Sequence, residues 1–196
     1  MLPDIYLASS SPRRREILEL IRLPHKVMAM DVDESLPPGF AAAEQVEALS
    51  RRKAEAAVGR LPEGIIIAAD TVVVLGDEIL GKPDNRFVAV TMLERLQGRT
   101  HQVYTGVTVW DVPGGRAVTG HERTFVEMRP AGPQELIKYV ETGEPMDKAG
   151  AYGIQGLGSV FITGIRGCYF NVMGLPVYKL TRMLEELGID VVGYWE

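Results

Sequence analysis

The sequence predicts an α/β protein with a mixed central sheet flanked by helices, and three stretches carry that prediction. The first is the short apolar run Ile5-Tyr6-Leu7. It passes through a serine-rich turn and Pro12 into Glu16-Ile17-Leu18-Glu19-Leu20-Ile21, whose apolar residues fall at helical spacing. The second, residues 64–75, is almost wholly apolar and β-branched apart from Asp70, as expected of a strand covered on both faces. The third is a pair of long alternating runs, 101–112 and 117–128, joined by Pro113-Gly114-Gly115-Arg116. It reads as an antiparallel hairpin with one packed and one wet face. With 196 residues the chain can bury one substantial core, so it is read as a single domain over 1–196, dividing at most into two lobes around a cleft.

Composition excludes several function classes. A hydrophobic content of 46% and a charged content of 24% are ordinary for a globular protein. A net charge of −5 argues against a partner that is a nucleic-acid polymer, which calls for a broad basic face. The single cysteine, Cys168, excludes an internal disulfide and a multi-cysteine metal site. No segment resembles a signal peptide, and no run reaches the roughly 20 apolar residues of a membrane span. The expectation is a soluble, cytoplasmic protein with no membrane partner.

Taken in order, the first element carries the strongest chemical signal. Ser11 at the N-cap and Pro12 at the first helical position mark the start of a helix. Arg13, Arg14 and Arg15 then stand at the positive end of its dipole, where acidic residues are favoured. Three cations there make sense around an anion, because free N–H groups, serine hydroxyls and guanidinium forks together build a phosphate site. The alternative is a solvated basic turn. Residues 26–30 read as a strand ending in Asp31, Asp33 and Glu34, which are either oxygen ligands for a divalent cation or a solvated acidic loop leading into Pro37-Pro38-Gly39. A helix follows over Ala42–Val58. Its Arg51, Arg52 and Lys53 are most simply a solvated face, with Lys53 the one to bear on an anion site.

Asp70 interrupts the central strand, and a lone carboxylate there costs several kcal/mol unless it is paired or metal-bound. Thr71 beside it offers a hydroxyl, and the arrangement fits a metal or base site as well as a local structural pair. Gly76-Asp77 is a hairpin turn returning to Gly81-Lys82-Pro83, where the Lys82 ammonium can reach a phosphate or simply lie on the surface.

Val88, Met92, Leu93 and Leu96 form a third helix stopped by Gly98. His101 and His121 lack a third ligand at metal spacing, so surface histidine is the simpler reading. A helix begins at Pro133 and ends near Gly143. Residues 144–158 then resist periodicity and are rich in glycine, and their Tyr152 and Gln155 suit stacking on and hydrogen-bonding a base, or belong to a plain loop. A strand near 160–165 and a helix built on Val177, Leu180, Met183, Leu184 and Leu187 close the chain.

Five blocks carry a family resemblance: Leu7-Ala8-Ser9-Ser10-Ser11-Pro12-Arg13-Arg14, Ala69-Asp70-Thr71-Val72-Val73, Gly81-Lys82-Pro83, residues 147–156, and Asn171-Val172-Met173-Gly174-Leu175-Pro176. In order and spacing the chain resembles the Maf family of nucleoside triphosphate pyrophosphatases. The resemblance implies an ITPase-like fold with a substrate cleft over a twisted sheet, in a homodimer. It also implies hydrolysis between the α- and β-phosphates with Mg²⁺ or Mn²⁺. The sequence Asp147-Lys148-Ala149-Gly150-Ala151-Tyr152-Gly153-Ile154-Gln155-Gly156 resembles the dTTP- and UTP-hydrolysing branch. On that basis Asp70 is the general base and Arg13, Thr71 and Gln155 select the base. Ser9, Arg13, Arg14, Lys53 and Lys82 bind phosphate, while Glu34 and Asp70 hold the metal. Such chemistry needs positioning and charge neutralisation rather than a covalent nucleophile, and neither Cys168 nor Ser10 or Ser11 is required as one. The alternatives are a non-catalytic nucleotide-binding regulator of septum formation and a pyrophosphatase preferring 7-methyl-GTP or other modified nucleotides.

Overall fold

The structure is a computed structural model that describes residues 2–37 and 39–195; Pro38 lies outside the described residues. Along the chain the elements are β1 (Ile5–Leu7), α1 (Pro12–Leu20), β2 (Lys26–Val27), α2 (Ala42–Val58), β3 (Ile65–Leu75), β4 (Glu78–Leu80), α3 (Arg86–Leu96), β5 (Thr100–Asp111), β6 (Arg116–Met128), α4 (Pro133–Glu141), β7 (Ile162–Arg166), α5 (Tyr169–Met173) and α6 (Val177–Glu186).

The strand β3 is buried at every position but Thr71 and Leu75, which its β-branched sequence requires of a strand covered on both faces. It pairs in parallel with β1, Ile5 facing Ile65 and Leu7 facing Ile67, and β1 pairs in parallel with β2. Parallel partners need a crossover, and α1 supplies the one between β1 and β2. Across the Gly76-Asp77 turn β4 returns antiparallel on β3, with Val73 facing Leu80. The sheet runs β2-β1-β3-β5-β6-β7 with β4 on β3, so it is mixed, as the sequence predicts.

The chain divides into two compact units: Met1–Asp70, Thr105–Glu122 and Gly174–Glu196 make one, and Thr71–Tyr104 with Arg123–Met173 the other. The boundary falls within β3, β5 and β6. In the first unit α1 buries Ile17 and Leu18, and α2 packs Ala54 and Ala57 against Ala8, Ile66 and Ala68. Alanines keep that layer thin, and Gly106 on β5 makes it thinner. A Cβ there would lie 2.2 Å from the carbonyl oxygen of Val46. Buried hydroxyls link the same layers, Thr108 Oγ1 lying 3.0 Å from both Ser50 Oγ and Thr119 Oγ1.

In the second unit Leu93 and Leu96 of α3, Leu136 and Val140 of α4, and Val103, Val126 and Met128 of the sheet share one core with Tyr152 and Phe161. The segment after α4 forms three 3₁₀ turns, Glu144–Asp147, Ala149–Ala151 and Gly156–Phe161, rather than a periodic element. Glu144 closes it: one carboxylate oxygen accepts from the Gly158 N–H at 2.9 Å and the Tyr139 hydroxyl at 2.8 Å, the other from the Leu157 N–H at 2.9 Å.

Four expectations are corrected. The strand expected over 26–30 stops at Val27, because Met28 makes the last bond to Leu7 and the chain then leaves the sheet. The wet face expected of the hairpin is absent over 105–109 of β5, every residue of which is buried, because α2 lies against the strand where the main chain of Val46 meets Gly106. Residues 169–173, which carry no periodic signal in the sequence, form the short helix α5, and buried Asn171 ties it down by donating to Val103 O and Thr124 Oγ1, each at 3.0 Å. His101 is not a surface residue. It is 2% exposed, its Nε2 lies 2.7 Å from the Tyr152 hydroxyl, and the two rings meet edge to face at 5.2 Å. Tyr152, buried in turn, is therefore a core residue and not a platform for a base.

Two outcomes follow for stability. Gly106→Ala should lower the unfolding free energy by about 3 kcal/mol, read from urea denaturation, since backbone rather than a movable side chain blocks the new methyl. Burial pulls the His101 pKa from 6.5 down to about 4. The unfolded chain takes up this proton below pH 6.5 and the native one refuses it until about pH 4, so stability is complete above that window and falls as pH drops through it. The loss attributable to His101 should approach roughly 3 kcal/mol, and denaturation curves from pH 7 to pH 4 should be shallower in a His101→Gln variant.

Candidate active site

The first unit brings six of the nominated residues, Ser9, Arg13, Arg14, Glu34, Lys53 and Asp70, into one fold unit, and for most of them the partners are defined. Ser9 follows β1 and is 7% exposed. Its hydroxyl oxygen accepts from the Ser11 N–H at 3.2 Å and from Arg14 Nη1 at 3.1 Å, so the side chain organises the turn into α1. Ser11 caps by backbone conformation only, with no side-chain bond to the helix. Arg14 also donates through Nε to the carbonyl oxygen of Gly174 at 2.8 Å, which fixes the guanidinium instead of leaving it to solvent. Burial lowers its pKa, Asp70 opposes that shift, Arg13 adds to it, and Glu34 opposes it. Arginine nevertheless stays charged. Arg13 is half-buried in the same turn.

Asp70, 8% exposed on β3, receives its cation from α2: Lys53 Nζ lies 2.6 Å from Asp70 Oδ1 and 2.7 Å from Glu34 Oε1. The lysine side chain is only 12% exposed, so the pair sits away from bulk water where charges interact strongly. Of the three acids before Pro37, Glu34 is the one that reaches this ammonium. Asp33 turns inward on its own loop, accepting from the N–H and hydroxyl of Ser35 at 2.9 and 2.8 Å, and those bonds lower its pKa. Arg52, expected on a solvated face, is instead bonded to that loop, a partnership that needs the fold and has no periodic signature.

Thr71, Lys82 and Gln155 belong to the second unit. Thr71 is half-buried on β3, Lys82 is exposed in the loop after β4, and Gln155 is half-buried at the start of the 156–161 turn. The loops carrying the last two are joined by the Gly150 N–H, which donates to Gly81 O at 3.0 Å. Gly150 (φ +69°) and Ala151 (φ +58°) both take left-handed backbone, and a Cβ on Gly150 would lie 2.9 Å from Val73 Cγ2. Glycine is required there for both reasons.

Two carboxylates converging on one ammonium suit a hard divalent cation. Mg²⁺ takes one or two protein carboxylates and completes its shell with water and phosphate oxygens. Among the described residues no three His, Cys, Asp or Glu cluster as a metal site.

A mixed α/β fold with cations gathered at a helix start, beside an acid on a buried strand, defines a protein suited to binding and activating a polyphosphate. The chain belongs to the Maf-like protein family, whose model matches residues 4–187. Relatives named dTTP/UTP pyrophosphatase are 48% identical in Desulforamulus reducens, over 96% of this chain and 98% of that protein, and 48% identical in Pelotomaculum thermopropionicum, over 97% and 100%. A third, from Moorella thermoacetica, is 47% identical over 98% and 99%. Among solved structures the Staphylococcus aureus Ham1 protein aligns at a TM-score of 0.47 and 18% identity over 64% of this chain and 71% of that one, a likeness that carries no argument.

Replacing Lys53 by Ala strands the Asp70 carboxylate in a buried strand. Unfolding free energy at pH 7 should fall by roughly 2 kcal/mol, and a Lys53→Ala/Asp70→Asn double variant should recover part of it in the same denaturation assay.

Proposed function

We propose that the protein hydrolyses dTTP and UTP to the monophosphate and pyrophosphate. The observation that carries the reading is the Lys53–Asp70–Glu34 cluster, in the unit where Ser9 and Arg14 organise the start of α1, in a chain of this family. The N-terminus of α1, with Arg13 and Arg14, offers N–H groups and positive charge to the triphosphate, and Arg14 is already held in place by Ser9 and Gly174. Lys53 adds a point charge that pairs with Asp70 and orients it. Asp70 accepts the proton of the attacking water. The water oxygen bonds to the α-phosphorus, the bond from that phosphorus to the bridging oxygen breaks, and pyrophosphate leaves with the electron pair. Glu34 and Asp70 would hold Mg²⁺ or Mn²⁺, which when bound supplies charge neutralisation at the phosphates and lowers the pKa of bound water. On the family resemblance Lys82 takes a phosphate-binding role, and Arg13, Thr71 and Gln155 select the pyrimidine. We extend the proposal to a cytoplasmic homodimer on the family resemblance alone. Among the described residues no helix is long and apolar enough to cross a membrane.

Pyrophosphate release with Mg²⁺, measured across dTTP, UTP, CTP, GTP, 7-methyl-GTP and ITP, tests the reading. Turnover should favour dTTP and UTP, and Asp70→Asn should lower kcat by about 10²- to 10⁴-fold. Turnover confined to 7-methyl-GTP or ITP would overturn the specificity. Nucleotide binding without any release would point to a regulator instead.

A further inference from the structure

The geometry points to Arg52 as a positioning residue that clamps the backbone on both sides of Glu34 and so presents the Glu34 carboxylate to the Lys53–Asp70 pair. This rests on the reading of Glu34 as a metal-holding group.

The Glu34 side chain is 59% exposed, and residues 31–37 contain no helix or strand. The peptide units beside it therefore bear on where its carboxylate lies. Arg52 Nη1 donates to Ser35 O at 2.9 Å and to Asp33 O, the carbonyls flanking Glu34 in sequence. Within the loop, the Asp33 carboxylate accepts from both the N–H and the hydroxyl of Ser35, at 2.9 and 2.8 Å, which closes the turn across Glu34. The turn is thus tied internally by Asp33 and externally by α2. Arg52 and Lys53 are neighbours on that helix and divide the work, the guanidinium taking the loop backbone and the ammonium taking the Glu34 carboxylate at 2.7 Å and Asp70 at 2.6 Å. Because α2 is anchored in the core by Leu49, Ala54 and Ala57, the clamp ties a segment without regular structure to a packed helix. Arg51, next along the same helix, pairs with Glu55 at 3.0 Å and lies over the Trp110 ring, which makes it the natural control. Outer groups that orient ligating carboxylates set metal affinity without touching the metal.

The test uses the full-length enzyme. Arg52→Ala should raise the Mn²⁺ concentration for half-maximal pyrophosphate release from dTTP by about tenfold, with the loss recovered at saturating Mn²⁺. Arg52→Lys should fall between, and Arg51→Ala should match the wild type. In protein free of metal and nucleotide, hydrogen exchange at the amides of 33–36 should speed up in Arg52→Ala and not in Arg51→Ala. In a Glu34→Gln background Arg52→Ala should raise the Mn²⁺ requirement no further. If Glu34→Gln raises the requirement and Arg52→Ala changes neither it nor the exchange, the clamp is overturned while the reading of Glu34 stands. If Glu34→Gln has no effect on the requirement, that reading fails and the clamp's role in metal binding fails with it. The exchange result distinguishes the two failures.

Discussion

A carboxylate on a buried strand has to be answered by another element, and the Lys53–Asp70 pair is that answer. The distance of 2.6 Å places a demand on everything around it. The helix α2 must approach β3 closely, which is why the layer between them is built of Ala8, Ala54, Ala57 and Ala68. It must also cross β5 at Gly106, where the main chain of Val46 leaves no room for a methyl. Larger residues in this layer would move Lys53 away and leave Asp70 desolvated and unpaired. A strand rich in isoleucine and valine, a helix rich in alanine and one glycine are thus parts of a single electrostatic arrangement.

The same arrangement accounts for the guanidinium at the start of α1. Arg14 is held between Ser9 and the Gly174 carbonyl, with burial working against its charge and Asp70 and Glu34 working for it. In the proposed function an incoming anion supplies what the helix terminus and the guanidinium both lack. Phosphoryl chemistry asks for such standing charge more than for a protein nucleophile.

In the second unit, rigidity comes from backbone constraint. The left-handed pair Gly150-Ala151, the Gly81–Gly150 bond and the Glu144 carboxylate capping two N–H groups hold a long irregular segment without regular structure. Beneath it, His101 Nε2 pairs with the Tyr152 hydroxyl while His101 Nδ1 is buried with no partner among the described residues, and a neutral imidazole is the form that this burial selects. A segment made this way keeps exposed and half-buried polar groups such as Lys82 and Gln155 on a fixed backbone.

How much was legible in the chain follows from which signals are local. The limits of α2, the turn at Gly76-Asp77 and the passage from β1 through Pro12 into α1 depend on period, capping and turn chemistry, and these are written within a few residues. The oddity of Asp70 in an apolar strand and of arginines at a helix start was legible for the same reason. Their partners were not. That Lys53 serves Asp70, that Glu34 rather than Asp33 joins them, and that Arg52 grips a loop instead of facing water depend on residues 17 to 19 positions apart meeting across α2. His101 reads as a surface residue because no third ligand stands at metal spacing, and it is buried because the 3₁₀ segment after α4 brings Tyr152 against it. Sequence by itself determined the elements and the residues whose chemistry had to be answered. Tertiary structure alone decided what answers them, because burial and pairing are properties of which elements pack together and no local pattern encodes that choice.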